Sequence, residues 1–392
     1  MKLLQILPLL AGILAVPVSR AVYAPIPEQE QGKDITYSAT AGISHDSNIF
    51  GAPNNEISST IYSFSPKIKF NSSVSDQTFL SASYKLTLDH FTDRPGDKTL
   101  DSHNLEARVA HAFSSATTLD VSDNYTISKN PESLLAGLPV NSNQSFKRNQ
   151  LDGRFGTNLG QKMGGVLKAR TVRYRYDNPV LGAGIDRTEN LIGAELSFDY
   201  QPETKLVAEY RHQVVDYRSS GANKDKSSDF LIGGFDYTVA RKLTASGRFG
   251  GEWRKRDGEG DTSAPFIELS TKYDYAERSY LTAGYAHTLE EASNVANFTD
   301  TKVNRFFVNV QHALTGLIVA SGSLSYEPST LQGRRGFNNV EEKTTRLGLA
   351  VSYLINHNWT ASVTYDYDNV NSDDANREMK RERFGLSAGL SF

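Results

Sequence analysis

Two side chains near the start of the chain have the types and the spacing that nucleophilic catalysis needs. His45 and Ser47 are two residues apart, and residues at this spacing on a β-strand share a face. A histidine that takes the proton of a serine hydroxyl activates that serine as a nucleophile, provided that a third group orients the imidazole. Five further histidines lie near the ends of predicted strands, at alternating positions that otherwise carry apolar side chains. Anchoring at a membrane interface fits these positions better than catalysis: His90, His111, His212, His287 and His312.

The composition of the 392-residue chain excludes several classes of protein. It contains no Cys, which rules out a disulfide scaffold, a zinc-thiolate site, a cysteine nucleophile and an N-terminal lipidated cysteine. After the first two dozen residues, no apolar run approaches the roughly 20 residues that a membrane-spanning helix needs. The formal net charge is −3, and it becomes −5 once Lys2 and Arg20 are removed. This balance argues against binding of nucleic acid by bulk charge.

The N-terminus has the pattern of a secretory signal. Lys2 supplies the positive charge and residues 3–18 the apolar stretch, and small residues then allow cleavage after Ala21 or Ala24. We therefore predict a signal peptide over 1–24, a short periplasmic segment over 25–33, and a single domain over 34–392.

The rest of the chain alternates apolar and polar residues in stretches of ten to twelve, which is the pattern of β-strands with one apolar face. In 35–44 the odd positions are apolar or aromatic and the even positions are small and polar. The pattern predicts eighteen strands: 34–44, 60–70, 79–91, 103–113, 118–128, 146–157, 164–176, 189–200, 205–217, 229–239, 242–254, 265–275, 279–289, 303–313, 316–326, 342–353, 358–368 and 381–392.

Connections between these strands alternate in length. Short ones such as 201–204 follow even-numbered strands, and longer polar ones such as 129–145 follow odd-numbered strands, as in outer-membrane barrels with periplasmic turns and external loops. Eighteen strands enclose too wide a space for an apolar core, so the apolar face must point to lipid. We therefore predict an all-β fold: a transmembrane, antiparallel, up-and-down β-barrel of the outer-membrane type, located in the bacterial outer membrane and contacting its lipid.

The polar phase of the strands carries many ionisable residues, which must face a wet interior because lipid surrounds the barrel. We predict that twelve of them line a pore: Lys67, Lys69, Lys85, Arg108, Arg154, Lys168, Arg170, Arg173, Arg175, Glu195, Asp199 and Arg211. Lys168 and Arg170 are on even positions, whereas Arg173 and Arg175 are on odd ones. A β-bulge near Thr171 and Val172 would bring both pairs to the same face, and we predict one there.

The C-terminus ends on an amphipathic strand with an aromatic last residue. Phe384, Leu386, Leu390 and Phe392 are in its apolar phase. This strand resembles the terminal signal by which outer-membrane barrels are recognised, and it implies the barrel assembly machinery as a partner.

The first predicted hairpin contains a short motif, His45-Asp46-Ser47-Asn48-Ile49-Phe50. It resembles the stretch near the first strand of the putative β-barrel porin 2 family, with His45 in place of an aromatic residue. The resemblance implies a pore for small hydrophilic solutes or a saccharide chain, and periplasmic polysaccharide-export components as partners. Asp46 and Asn48 are also good turn formers, so the same residues fit a capped loop entry.

Two alternatives to a pore follow from the sequence. His45-x-Ser47-Asn48 is similar to the His-x-Ser-Asn motif of outer-membrane phospholipase A and lipid A deacylases, which implies a lipid hydrolase, although Ile49 and Phe50 replace their small residues. The other alternative is a non-conducting surface adhesin. We favour transport without catalysis, and we expect neither a cofactor nor a metal site.

Overall fold

Eighteen antiparallel strands make up nearly all of the structure, a computed structural model that describes residues 34–128, 145–218, 224–258, 260–291, 297–334 and 336–392. The predicted signal peptide, the segment 25–33 and residues 129–144 of the longest predicted loop lie outside the described residues. Every predicted strand overlaps one strand of the structure, so the prediction of eighteen strands is confirmed.

The strands run as follows: β1 Ile35–Asp46, β2 Ser59–Ser75, β3 Thr78–Phe91, β4 Thr99–Ala112, β5 Thr117–Ser128, β6 Phe146–Asn158, β7 Met163–Tyr176, β8 Arg187–Gln201, β9 Thr204–Tyr217, β10 Lys226–Ala240, β11 Leu243–Arg256, β12 Thr262–Ala276, β13 Ser279–Glu291, β14 Phe298–Ala313, β15 Ile318–Gly333, β16 Val340–Leu354, β17 Trp359–Ser372 and β18 Met379–Ser391. A short helix, α1 (Pro179–Ile185), follows β7, and a 3₁₀ turn (Ala375–Arg377) precedes β18. Among the described residues, no helix is long and apolar enough to cross a bilayer.

Each strand pairs with the next one in the chain, and β18 pairs with β1. The closing ladder runs from Ser38 opposite Ser391 to Asp46 opposite Arg383. At its far end the backbone N–H groups of Tyr37 and Phe392 each donate to the other's carbonyl oxygen at 2.9 Å. Closure leaves no unpaired sheet edge, which is the condition for a sheet to span lipid. The predicted closed barrel is therefore confirmed.

The two faces of the wall differ sharply in polarity. On β8, for example, Ile192 is 61% exposed on the outer face, whereas Glu195 is 5% exposed on the inner face. Exposed apolar and aromatic side chains recur at every second position around the barrel, with rings such as Tyr62 and Trp253 toward strand ends. A surface of this kind matches the hydrocarbon band and the flanking aromatic belts of a membrane barrel.

The connections differ in length at the two ends of the barrel. Those after even-numbered strands have two or four residues, and those after odd-numbered strands have five or more. We call these ends the turn end and the loop end. Several strands extend further at the loop end than the alternation indicated: the predicted connection 327–341 begins inside β15, where Glu327 pairs with Thr344 and Leu331 with Val340. The outward residues there are Pro328, Thr330 and Gln332, so the apolar signal stops although the strand continues.

The prediction of a bulge near Thr171 and Val172 is wrong. β7 pairs without a register shift with β6 from Gly164 to Tyr176 and with β8 from Met163 to Tyr174. Strict alternation therefore places Lys168 and Arg170 inside, and Arg173 and Arg175 on the outer face. Arg173 pairs with Thr188, the second residue of β8. It lies at the loop end, where an outward cation does not have to enter the middle of the bilayer.

Candidate functional site: the barrel interior and its mouth

The inner face carries the charged residues that the polar phase indicated. Strand alternation places ten of the twelve predicted pore-lining side chains on this face: Lys67, Lys69, Lys85, Arg108, Arg154, Lys168, Arg170, Glu195, Asp199 and Arg211. Carboxylates share the wall of β2–β7 with the cations: Asp89, Glu106, Asp120 and Asp152. The basic arc is therefore partly neutralised.

Ion pairs across neighbouring strands hold several of these cations. Arg108 Nε donates to Asp120 Oδ1 at 2.9 Å, and Arg170 Nε donates to Asp152 Oδ1 at 2.5 Å. Lys168 Nζ lies between two buried carboxylates, 2.6 Å from Glu195 Oε2 and 2.8 Å from Glu209 Oε1. Side chains paired in this way rigidify the wall and contribute little net field.

Three cations differ from these. Within the part of the chain that the structure describes, no ion pair joins Lys67, Lys85 or Arg154 to another residue, and Lys67 lies directly opposite Lys85. Like charges at such a position repel each other, and they leave their field open to the lumen. These three are the residues of the predicted arc best placed to act on a passing ion.

A cavity of about 1110 Å³ lies along the wall of β8–β14. It reaches from the short turn at 201–204 up to Glu252 and Leu289 near the loop end. Its lining mixes aromatic and charged side chains: Arg211, Phe230, Asp236, Arg248, Phe266 and Glu268. Arg248 Nη2 donates to Asp236 Oδ1 at 2.9 Å, and the Arg211 guanidinium lies 5.6 Å from the ring centroid of Phe266. The cavity is therefore lined by charges of both signs, with an aromatic surface on one side.

A buried ionic cluster lies at the loop end. It consists of Lys226, Arg254, Arg256, Glu291 and Asp300, which we call the mouth cluster. Arg254 pairs with Asp300, Lys226 pairs with Glu291, and Arg256 Nη2 lies 2.9 Å from Asp300 Oδ1. The side chains of Arg254 and Asp300 are each 3% exposed, and Arg254 also pairs with the equally buried Glu252, 2.7 Å away. With Glu252 included, three carboxylates balance the three cations away from bulk water.

The mouth cluster ties the β13–β14 hairpin to β11. The ladder between β12 and β13 stops at Ile267 opposite His287, whereas the β13–β14 ladder continues to Glu291 opposite Asp300. Beyond that point, Arg254 Nη2 donates to the Leu289 carbonyl at 2.9 Å and Arg256 Nη2 donates to the Thr299 carbonyl at 2.8 Å. The end of the β13–β14 hairpin is therefore not paired with β12, and it contacts β11 at the loop-end opening of the barrel. Sequence reasoning missed this cluster, because its members come from four strands.

The motif of the first hairpin closes the seam between β1 and β18. Asp46 forms a bidentate ion pair with Arg381, and the two side chains are 0% and 3% exposed. Asp46 Oδ1 also accepts from the Asn48 N–H at 3.0 Å. The Asn48 amide donates to the Ala52 carbonyl at 2.8 Å and to the Lys380 carbonyl at 3.1 Å. The motif therefore joins the first loop to the last strand.

The two apolar residues of the motif fold inward over the wall of β2–β4. Ile49 packs in a buried cluster with Ile61, Phe91 and Leu100, and Phe50 packs against the same cluster. The Arg94 guanidinium covers Phe50, 5.5 Å from its ring centroid. Burial lowers the pKa of Arg94, and nearby Asp97 offsets part of this shift. The first loop is thus a packed element of the mouth.

The candidate catalytic pair is not assembled. Alternation places His45 on the outer face, and Ser47 begins the loop. Ser47 Oγ accepts from the Glu382 N–H at 2.9 Å, and the Ser47 N–H donates to the Glu382 carbonyl at 2.9 Å. No hydrogen bond of the described residues joins His45 to Ser47, and these residues contain no group of three or more possible metal ligands. Ser47 therefore contributes to the seam.

The predicted assembly residues lie along the outer side of the closing strand. Phe384, Leu386 and Phe392 are exposed there, and Leu390 pairs with Ala39 of β1. Recognition by the assembly machinery stays a prediction for these four.

Comparison with solved structures finds a similar barrel fold in proteins of the outer membrane. It is similar to a BenF-like porin from Pseudomonas fluorescens, with a TM-score of 0.53 and 11% identity over 92% of this chain and 99% of that porin. The outer membrane protein opdK from Pseudomonas aeruginosa aligns over the same shares of the two chains with a TM-score of 0.49 and 10% identity. The similarity to the BenF-like porin shows a shared fold and nothing about function.

Comparison by sequence gives one further finding. No curated protein matches the chain. Residues 301–392, from β14 to the end of β18, match the model of the family described as putative beta-barrel porin 2. The predicted resemblance to that family is therefore confirmed, over strands that lie far along the chain from the motif at 45–50.

Proposed function

We propose that the barrel is a passive channel in the bacterial outer membrane for hydrophilic solutes or a saccharide chain. The observation that carries this proposal is the cavity of about 1110 Å³ along a polar, ion-paired wall inside a closed barrel whose outer surface is apolar. A solute in this passage meets charged side chains already satisfied by one another, so it binds weakly and leaves readily. Porin-like strands at 301–392 support the same conclusion.

A finer proposal is that the channel serves exopolysaccharide export with periplasmic components. Aromatic rings beside charged groups, as in Phe230, Phe266 and Arg211, suit the apolar faces and hydroxyl groups of sugars. We further propose that residues 1–24 direct export of the chain, and that the barrel assembly machinery inserts it. No step of this function involves catalysis.

Conduction is the direct test. The purified barrel in planar lipid bilayers is expected to give discrete current steps, because water and ions fill the passage. His45→Ala and Ser47→Ala variants should conduct like the wild type. A silent barrel that releases fatty acid from phospholipid or lipid A, with the release abolished by Ser47→Ala, would establish the hydrolase instead.

Charge reversal at the open cations should change ion selectivity. In Lys67→Glu/Lys85→Glu/Arg154→Glu, the reversal potential in a salt gradient is expected to shift toward cations, because no described ion pair holds these three side chains. The shift should be modest, since the Debye length at physiological salt is only about 8 Å. Lys255→Glu, an outward substitution on β11, is the control and should leave the potential unchanged. Equal shifts of the reversal potential in both variants would show that Lys67, Lys85 and Arg154 do not determine the selectivity.

Orientation is tested by labelling single cysteines in a chain that has none of its own. Asn54 lies in the β1–β2 loop and Glu203 in the β8–β9 turn, and both are exposed. We place the loop end outside the cell. Asn54→Cys should therefore react with an impermeant maleimide in whole cells, whereas Glu203→Cys should react only after the cells are opened. The opposite pattern would reverse the orientation.

A further inference from the structure

Three cations lie together on the outer face of the barrel, at the loop end of β6 and β7. Lys147 is the second residue of β6, and Arg173 and Arg175 are near the end of β7. They share the outward phase with Leu167, which is 59% exposed. Lys147 lies directly opposite Arg175, and Asn149 lies directly opposite Arg173. We call Lys147, Arg173 and Arg175 the rim patch.

Neighbouring acidic groups do not neutralise the rim patch. Lys147 Nζ is 3.7 Å from Asp177 Oδ1, and both side chains are more than 40% exposed, so this pair is weak. Arg175 Nη1 donates to the carbonyl oxygens of Tyr174 and Arg187, at 2.9 and 3.5 Å. In the described ranges, no hydrogen bond or ion pair reaches the side chain of Arg173, which is exposed.

Two further carboxylates face outward on nearby strands. Asp123 of β5 accepts from the Asn149 amide, at 3.0 and 2.9 Å from its two oxygens. Asp216 lies on β9, opposite Thr188, one strand beyond the rim patch. Lys147 and Arg175 therefore remain as like charges placed opposite each other, an arrangement that is destabilising unless an anion comes between them.

The surroundings of the rim patch match an amphiphile rather than a free ion. Toward the turn end, exposed Leu151 and Leu167 face the hydrocarbon. Between these leucines and the cations lie amide and hydroxyl groups: Asn149, and Thr171, whose Oγ1 donates to Asn190 Oδ1 at 3.0 Å. From the turn end toward the loop end, the outward positions of β6 and β7 thus change from apolar to polar and then to cationic, and Asp123 of the neighbouring β5 lies opposite Leu151.

We propose that the rim patch binds the phosphate groups of a phosphorylated glycolipid in the outer leaflet. Its phosphates neutralise the guanidinium and ammonium groups, its sugars contact Asn149 and Thr171, and its acyl chains cover Leu151 and Leu167. The proposal depends on the loop end being outside, and it does not depend on conduction.

The test compares two triple variants that lose the same charge. Lys147→Gln/Arg173→Gln/Arg175→Gln removes the rim patch. Lys255→Gln/Lys302→Gln/Lys343→Gln removes outward cations at the loop ends of three other strands, where they do not adjoin one another. Each barrel is purified in mild detergent, and the phosphorylated glycolipid retained per barrel is measured by mass spectrometry. Thermal unfolding is followed with added lipopolysaccharide or with inorganic phosphate.

The rim-patch variant is expected to retain on the order of tenfold to a hundredfold less glycolipid, since each of its three cations is attracted to a charged lipid surface. The control variant should retain the wild-type amount. If the triple variant does not fold, Arg173→Gln alone, which removes no described contact, should still lower retention. Equal retention in the two triple variants overturns the proposal, and stabilisation by inorganic phosphate equal to that by lipopolysaccharide overturns the lipid as the ligand.

Discussion

Arg381→Ala is expected to destabilise the closed barrel by about 3–5 kcal/mol, because it leaves a buried carboxylate without its partner. Asp46 is fully buried, and Arg381 is its bidentate ion-pair partner across the seam between β1 and β18. The variant should therefore unfold at a lower temperature in detergent, as measured by the loss of the fast-migrating folded band on unheated gels.

Two further variants separate charge burial from loss of packing. Asp46→Ala/Arg381→Ala removes both charges and should recover part of the stability that Arg381→Ala loses, since no unpaired ion remains. Arg383→Ala is the matched control on the same strand. Its partner Asp368 is 3.2 Å away, and the Arg383 side chain is 26% exposed, so its loss should cost much less. If Arg381→Ala and Arg383→Ala unfold at the same temperature, the Asp46–Arg381 pair stabilises the barrel no more than the Asp368–Arg383 pair.

The architecture follows from the sequence because lipid enforces strict alternation. On strands such as β8, every outward residue that crosses the hydrocarbon must be apolar or aromatic, whereas inward residues are free to be polar or charged. The eighteen strands, their closure and the difference between the two ends are therefore visible in the order of residues. Where this constraint stops, the signal stops as well: β15 continues to Gly333, but its outward residues above the membrane no longer need to be apolar.

The same reasoning explains why the bulge prediction is wrong. It assumed that Arg173 and Arg175 would have to avoid lipid at depth. Arg173 pairs with the second residue of β8, so it lies at the rim, where the energetic cost of an outward cation is small. Alternation gives the face of a residue, but its depth requires the register of neighbouring strands, which a single sequence does not contain.

Contacts between residues that are distant in the chain cannot be predicted from the sequence either. The sequence predicts Asp46 and Asn48 as turn formers, and Asp46 does accept from the Asn48 N–H. Nothing in the sequence, however, indicates that its ionic partner is 335 residues away. The mouth cluster is a similar case, since many cations occupy the polar phase and their pairing depends on how the β13–β14 hairpin bends.

Arg254→Ala/Arg256→Ala is expected to raise the single-channel conductance, because it releases the β13–β14 hairpin from the mouth. These two guanidinium groups donate to the carbonyl oxygens of Leu289 and Thr299 and neutralise Asp300. Without them, Glu291 and Asp300 would remain buried with only Lys226 as a cation of the mouth cluster. Breaking a buried pair costs about 3–5 kcal/mol, which corresponds to more than a hundredfold change in population between the docked and released hairpin.

Arg346→Ala tests whether the hairpin, rather than the loss of positive charge, causes the change. Arg346 faces inward on β16, outside the cavity lining and the mouth cluster, and its Nη1 lies 3.5 Å from Glu327 Oε1 of β15. Its removal should leave the current steps close to those of the wild type, whereas the mouth variant should also admit larger saccharides in liposome-swelling assays. Unchanged conductance and an unchanged size limit in the mouth variant would mean that the hairpin does not narrow the passage, and that the cavity is open to the outside past the mouth cluster.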